Sequence, residues 1–465
     1  MDNSHKVVVI GAGISGLACA YQLKQRGVRA LVLEAQPRAG GVISTVRRNG
    51  YLFEMGPQGP RFAASVWQIV RELGLEREFV AGDPKAKRYI VRGVRLERAP
   101  FSPGGMIATG LVGVGSKLRV LGEPFRYSRP PAEDESVADF MRRKFGDEVL
   151  DYLVDPIVST VFLGDAERMG MASAFPALVE WERASGSLAR GALRERSRER
   201  LGDGGARSAE SGEKLKVTDA LPSLGSFGEG MATLTDAMAG SLREDVRYGV
   251  SVGSVGRAAE GAGWEIVTNT GEKIVSDDVV FAVPAFAAGA LLDGAAPSVA
   301  PELKAIEYAP MTVVALAYER AQVANPLDGF GFMVPKKEGL RTIATFWNSS
   351  LFPGRAPEGK VLITSFARGA ENDASAIAGE NAKLLGISGE PVECESWRAE
   401  RAMPQYNVGH AARVARIRAG AGATPGLHLA GNYLSGRSIG ECVDAAFRVA
   451  DEIAARSGAQ REQKR

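Results

Sequence analysis

The chain is poor in the residues that carry metal, nucleophile or disulfide chemistry: among its 465 residues there are three cysteines and three histidines. Cys19, Cys394 and Cys442 are scattered and odd in number, which argues against a disulfide framework and against a thiolate metal site. His5, His410 and His428 have no triad or metal spacing, so no metal is expected and no catalytic side chain is assigned. A net charge of +2 gives no electrostatic case for nucleic acid. Long apolar runs are also missing. The most lipid-like stretch, 104–115, is shorter than the ~20 residues a spanning helix needs. With Lys117 and Arg119 behind it, the stretch suits a membrane face or a channel mouth, or packs inside a helical subdomain, the reading preferred. No internal repeat is visible. A strand begins by Val7, so no signal peptide is expected and the cytoplasm is the default location.

What is present is a dinucleotide fingerprint. Lys6 to Ile10 is an apolar strand, Gly11-Ala12-Gly13-Ile14-Ser15-Gly16 a glycine turn, and Leu17 to Leu23 the start of a helix. Gly11 permits the turn, Gly13 lets backbone approach a pyrophosphate, and Gly16 lets helix lie on strand; the helix N-terminus then offers N–H groups to phosphate. A second strand, Arg29 to Leu33, ends at Glu34, placed to accept hydrogen bonds from a ribose and to disfavour a 2′-phosphate.

The next segment refines the cofactor. Ala35 is followed by Arg38, suited to a phosphate, then by Gly40-Gly41-Val42, an Asn49-Gly50 hairpin turn and Met55-Gly56-Pro57-Gln58-Gly59. Here the chain resembles the flavin-containing amine oxidoreductase superfamily, whose second fingerprint grips FAD. Beyond it, 66–75 has helical spacing, 88–99 reads as strands, 131–201 as helical, and 183–216 as a charged, solvated linker containing Arg194, Arg196, Arg198 and Arg200. Then 227–231 opens a helix, 246–252 reads as one strand placing the Val252 backbone against adenine, 264–275 as a hairpin and 279–284 as a buried parallel strand. Gly431-Asn432 ends a final strand, and 436–440 precedes an amphipathic helix whose N–H groups can face the flavin N1–C2=O edge.

Three islands, 159–165, 329–335 and Met403-Pro404-Gln405-Tyr406-Asn407-Val408-Gly409-His410, make the nearly full-length likeness more specific. Within the superfamily the chain resembles the oxygen-dependent protoporphyrinogen/coproporphyrinogen oxidases of haem synthesis. The resemblance implies an α/β fold: an FAD/NAD(P)-binding Rossmann-like domain with an interleaved α+β substrate domain and a helical subdomain. Expected boundaries are 1–60, 206–295 and 401–460 for the FAD domain, 61–100 and 296–400 for the substrate domain, and 101–205 for the helical subdomain, whose facing a membrane is left open. It also implies non-covalent FAD, since Cys394 and Cys442 are poorly placed for a flavin link. The implied cofactor set adds Ile14, Ser15, Ala35, Val42, Gln58, Gly59, Trp397, Arg437, Ser438 and Ile439. Gly164, Phe330, Met333 and Phe366 match positions lining the macrocycle pocket, and His410 is read as structural.

The chain also departs from the pattern. Ala399 stands where relatives carry a tryptophan, and Trp397 can replace it only if the segment is extended, because two residues are one strand period. The final loop, 437–441, also differs from the usual sequence. A substrate-holding arginine of some relatives falls near Gly104, leaving Arg61, Arg95 and Arg98 as carboxylate candidates. The implied reaction is six-electron oxidation of a porphyrinogen, with hydride passing from a bridge carbon to the flavin and oxygen as acceptor. Protoporphyrinogen and coproporphyrinogen are both open as substrates, as are peripheral attachment to the inner face of the cell membrane and a homodimer. The rival readings are an amine or polyamine oxidase, a carotenoid-desaturase-like flavoenzyme and a non-enzymatic flavoprotein.

Overall fold

In the computed structural model, residues 4–83, 85–128, 131, 133–200, 224–258, 263–434, 436 and 438–463 are described. Two seven-stranded sheets organise them, each assembled from pieces far apart in the chain. The first runs Val252–Arg257, Trp264–Thr268, Lys273–Phe281, Ser4–Ile10, Ala30–Glu34, Val246–Tyr248, with Leu427–Leu429 also parallel to Lys273–Phe281. Ser4–Ile10 has parallel neighbours on both sides. Its alternate residues feed two cores: Val7 and Val9 one, Val8 and Ile10 the other. A strand covered on both faces has no polar side to show, hence the unbroken apolar run in the sequence.

The helix Ile14–Gln25 packs between that strand and the C-terminal helix Ile439–Gln463 through Leu17, Tyr21, Val443 and Ala450. Helix Ala64–Glu72 joins the same core through Val66, Trp67, Ile69 and Val70. Residues 246–252, read as one strand, are two strands on opposite edges of the sheet. Gly249 takes φ +70, and its N–H and that of Val250 donate to the carbonyls of Gln36 and Glu34, so the chain turns around the end of the Glu34 strand.

The second sheet runs Glu393–Pro404, Tyr308–Glu319, Lys360–Arg368, Thr342–Phe346, Gly329–Met333, Lys87–Arg92, Arg95–Arg98. Gly329–Met333 lies parallel to Lys87–Arg92, with Gly331 opposite Arg88 and Met333 opposite Ile90. The register shifts between Gly329 and Gly331. Gly331 has φ +137 and a Cβ there would stand 2.0 Å from the Thr345 carbonyl oxygen. Only glycine fits, and the irregularity re-aims the intervening Phe330.

Helices from Val137 to Arg200 form the third unit around Phe140, Met141, Val158 and Phe162. Pro176–Ser185 and Leu188–Arg200 are helices, as the helical reading of 131–201 has it, so over its described part the overlapping linker reading of 183–216 gives way. Glu123 supplies the reason: its carboxylate accepts the Leu188 and Ala189 N–H groups and the Ser187 hydroxyl, capping the second helix from a distant part of the chain. Lys144 and Arg143 meet buried Glu182 at 2.8 and 2.7 Å and fix the first. Residues 201–216 of that expectation lie outside the described residues.

Candidate active site and cofactor cradle

Gly11 takes φ +102, and a Cβ would sit 2.7 Å from the Ala282 carbonyl oxygen; at Gly16 it would sit 1.9 Å from that of Gly11. At Gly13 a Cβ would meet nothing within 4 Å. The first two glycines are therefore required by the chain's own packing, while Gly13 faces open space at the N-terminus of a helix with no side-chain cap and no acid in its first turn. That is an anion site of backbone donors.

Glu34 is buried and accepts N–H groups from Ala12 at 2.7 Å and Gln36 at 2.8 Å, which ties the end of its strand to the first turn. Gly40 bridges Gly13 and donates its N–H to the Ala12 carbonyl at 2.8 Å. Arg38 braces this loop by donating to the carbonyls of Ala39, Ile43 and Gly41. Ala35, Gly41 and Val42 stay exposed around the turn, and Ile14 half-buried. Ser15 is buried and bonds Cys442 of the last helix.

Met55, Gly56 and Pro57 follow the Asn49-Gly50 turn, whose two residues take φ 51 and 81 between Thr45–Arg48 and Tyr51–Glu54. Gln58 folds back to donate to the carbonyls of Glu54 and Gly56. Glu54 accepts the Met231 N–H at 2.7 Å and the Thr45 hydroxyl at 2.9 Å. Burial pushes its carboxyl up to about 7 against these two bonds and the nearby Arg355.

The remaining expected residues sit on several elements. Val252 is half-buried against the second core beside Val250 and Val283. Trp397 lies in an extended strand, on the same face as Ala399, and packs with the cluster holding Met55. Ser438 and Glu441 cap the last helix reciprocally: the Ser438 hydroxyl accepts the Glu441 N–H, and the Glu441 carboxylate accepts the Ser438 N–H. Gly440 touches Ala63, where a Cβ would come within 2.6 Å, and Ile439 is buried. Asn432 is held through its carbonyl by the Tyr406 hydroxyl, while Gly431 packs on the Tyr433 ring. Arg437 lies outside the described residues.

Beside the Gly56–Gly59 turn opens a cavity of about 1140 Å³, walled by Phe330, Met333, Phe101, Ile157, Val161 and Leu224. Five cations line it, Arg61, Lys85, Lys87, Arg88 and Arg98, with the carboxylate of Glu97. Phe330, Phe346 and Phe366 form an edge-to-face row with centroids 5.5 and 5.3 Å apart. Gly164 and Phe366 are not part of this lining; Gly164 is buried, its carbonyl accepting from Arg368 at 3.3 Å. Arg95 is also absent from the lining.

Arg88 is the residue that sequence reasoning missed. Half-buried, it stacks 4.6 Å from the Phe330 centroid and 5.6 Å from that of Phe101. Burial first, then the charge of Arg61, pulls its guanidinium below the usual arginine range. A desolvated cation on an aromatic face, repelled by its neighbour, is poised for an anion. Its signal in the sequence is only a basic residue in a short strand; its meaning comes from Phe330, a partner supplied by the opposite half of the chain.

Residues 14–454 match the family of flavin containing amine oxidoreductases. The chain belongs to that family. It is therefore an FAD oxidoreductase, and the uncapped helix and the open face of Gly13 fit that cofactor. It is 30% identical to the chloroplastic protoporphyrinogen oxidase of Nicotiana tabacum over 96% of this chain and 85% of that protein. It is 28% identical to the coproporphyrinogen III oxidase of Bacillus subtilis (strain 168) over 95% of this chain and 96% of that one. A crystal structure from Exiguobacterium sp. 255-15, provisionally named protoporphyrinogen oxidase, superposes with TM-score 0.79 at 23% identity, covering 97% of this chain and 99% of that chain.

Proposed function

We propose that the chain oxidises a porphyrinogen to the porphyrin of haem synthesis with molecular oxygen as final acceptor, and that it prefers the tetracarboxylate coproporphyrinogen to the dicarboxylate protoporphyrinogen. The observation that carries this is the cavity of about 1140 Å³ beside the flavin turn, with five cations on its wall against one carboxylate. When bound, FAD supplies the acceptor for a hydride from each of three bridge carbons in turn. The protein's own part is placement. Phe330, Phe101 and Met333 offer apolar surface to the macrocycle, with Phe346 and Phe366 packed edge to face behind Phe330, and Arg88, held on Phe330, meets a peripheral carboxylate. Arg61, Lys85 and Arg98 surround the remaining carboxylates; Lys87 is shared with Asp328.

An amine oxidase reading asks the same cavity to take a cationic nitrogen, which five cations oppose. Non-covalent attachment of FAD is supported by its thiols: Cys394 is exposed on its strand, and burial pushes the Cys442 thiol up to about 11. Acid precipitation is expected to release the flavin into the supernatant.

Phe101, Ile107, Val114, Leu118 and Phe125 are exposed apolar residues close to the cavity's Gly104–Thr109 edge, with Lys117 and Arg119 among them. This face supports shallow contact with a bilayer surface beside the cavity. No described helix is long and apolar enough to cross a membrane.

The test is turnover of both porphyrinogens, followed by porphyrin fluorescence in air. Each carboxylate that gains a charged hydrogen bond contributes roughly 1.5–3 kcal/mol, so kcat/KM is expected to favour coproporphyrinogen by at least about tenfold. The reverse ratio contradicts the preference; no fluorescence from either contradicts the whole reading.

A further inference from the structure

We propose that Tyr406 is a positioning residue for the flavin, acting through the Gly431–Asn432 turn. The inference rests on the reading that this turn faces the cofactor, and it gives a task to the Pro404–His410 segment that the mechanism above leaves unused.

Tyr406 is 6% exposed and joins two walls. On one side its hydroxyl donates to the Asn432 carbonyl, and the Asn432 amide lies 3.9 Å from the Met403 sulfur, so the same segment holds the turn residue by backbone and by side chain. Its ring stacks on His410 with centroids 4.6 Å apart and planes 11° from parallel. His410 is buried, bonds the Tyr433 backbone, and is neutral at pH 7 because burial lowers its pKa to about 4. Two adjacent residues of the turn, Asn432 and Tyr433, are thus gripped by two stacked rings from another part of the chain.

On the other side, the Tyr406 ring meets Phe162 edge to face at 6.1 Å, while its backbone carbonyl accepts the Gly170 N–H at 2.8 Å. Gln405 donates to the Phe162 carbonyl at 3.2 Å, and Val408 donates to that of Arg168 at 2.9 Å. Phe162 ends the helix Asp155–Phe162, whose Ile157 and Val161 line the cavity. One side chain therefore connects the cavity wall to the cofactor turn. A carbonyl held from one side fixes its peptide plane, and with it the backbone groups that the turn presents on its other face. The flavin's place relative to a substrate on the cavity wall follows from that plane.

The test compares Y406F with Q405A. The first removes the hydroxyl and keeps the ring; the second removes the bonds to the Phe162 and Met403 carbonyls and keeps the Tyr406–Asn432 bond. Y406F is expected to fold and hold FAD, with a changed visible spectrum and a shifted flavin midpoint potential. Its kcat should fall on the order of 10- to 100-fold with KM for coproporphyrinogen within about twofold, the pattern of a misplaced but still occupied site. Q405A should leave spectrum and potential as in the wild type. The proposal is overturned if Y406F lowers only the melting temperature and leaves spectrum, potential and kcat unchanged. If Y406F does not fold, H410F keeps a stacked ring and removes the bond to Tyr433; an unchanged spectrum there overturns the proposal equally. Should the wild type fail to oxidise porphyrinogen, the functional reading falls, while spectrum and potential still decide the role of Tyr406.

Discussion

The phosphate turn and the macrocycle cavity are built on opposite principles. At Gly11 to Gly16, and again at Gly40 and Gly41, the work is done by backbone in conformations that side chains would block. The cavity is made of side chains, Arg88, Phe330, Phe101 and Met333 among them, brought together by a parallel pairing of Gly329–Met333 with Lys87–Arg92. The first kind of site is written locally and tolerates few substitutions. The second is written across the chain, and its chemistry can be changed without disturbing the fold.

The sharpest way to break this comparison is inside the turn itself. G16A drives a Cβ to 1.9 Å from the Gly11 carbonyl oxygen and should cost on the order of 4 kcal/mol, read as loss of soluble folded protein. G13A adds a methyl to open space, so its melting temperature without cofactor should match the wild type while FAD affinity drops. Equal destabilisation by both would remove the distinction between packing glycines and cofactor glycines.

A second test concerns Glu54, whose carboxyl sits beside the flavin turn. Its pKa is about 7 in the folded protein against 4.5 ordinarily. The native state therefore holds its proton longer than the unfolded state, and the linked stability is full below pH 4.5 and lost as pH rises through 7. At roughly 1.4 kcal/mol per unit the loss is on the order of 3 kcal/mol. Urea titrations at pH 5 and pH 8 should show the wild type losing more stability than E54Q over this interval; parallel losses would contradict the assignment.

On the cavity side, R88A removes the cation on Phe330 and should raise KM for coproporphyrinogen by roughly 10- to 100-fold, about 1.5–3 kcal/mol. FAD content and melting temperature should stay near wild type. A KM increase accompanied by flavin loss would mean that the two sites are not separable. The smallest expected effect is at the exposed apolar face: L118S should weaken sedimentation with anionic vesicles by about tenfold or less and leave turnover in detergent unchanged.

The legible parts of the sequence follow the same division. The strand, glycine turn and helix of residues 6–23, the Asn49-Gly50 turn and the hairpin at 264–275 are short-range patterns, and each forms as read. Trp397 could be placed because strand period is local. The misreadings are long-range. The linker reading of 183–216 misses that Glu123 caps the helix Leu188–Arg200 from a distant part of the chain. The segment 246–252 is divided by hydrogen bonds to Glu34 and Gln36 at the end of the strand Ala30–Glu34. Arg88 gains its meaning only when the bulge at Gly331 turns Phe330 toward it.

The most direct measurement is an anaerobic mix of the purified protein with coproporphyrinogen, followed in the visible flavin band. If the cavity delivers a porphyrinogen to the cofactor held by the glycine turns, the band bleaches within a turnover and returns, with porphyrin fluorescence, when oxygen is admitted. A yellow protein whose band is unaltered by the porphyrinogen would contradict that account.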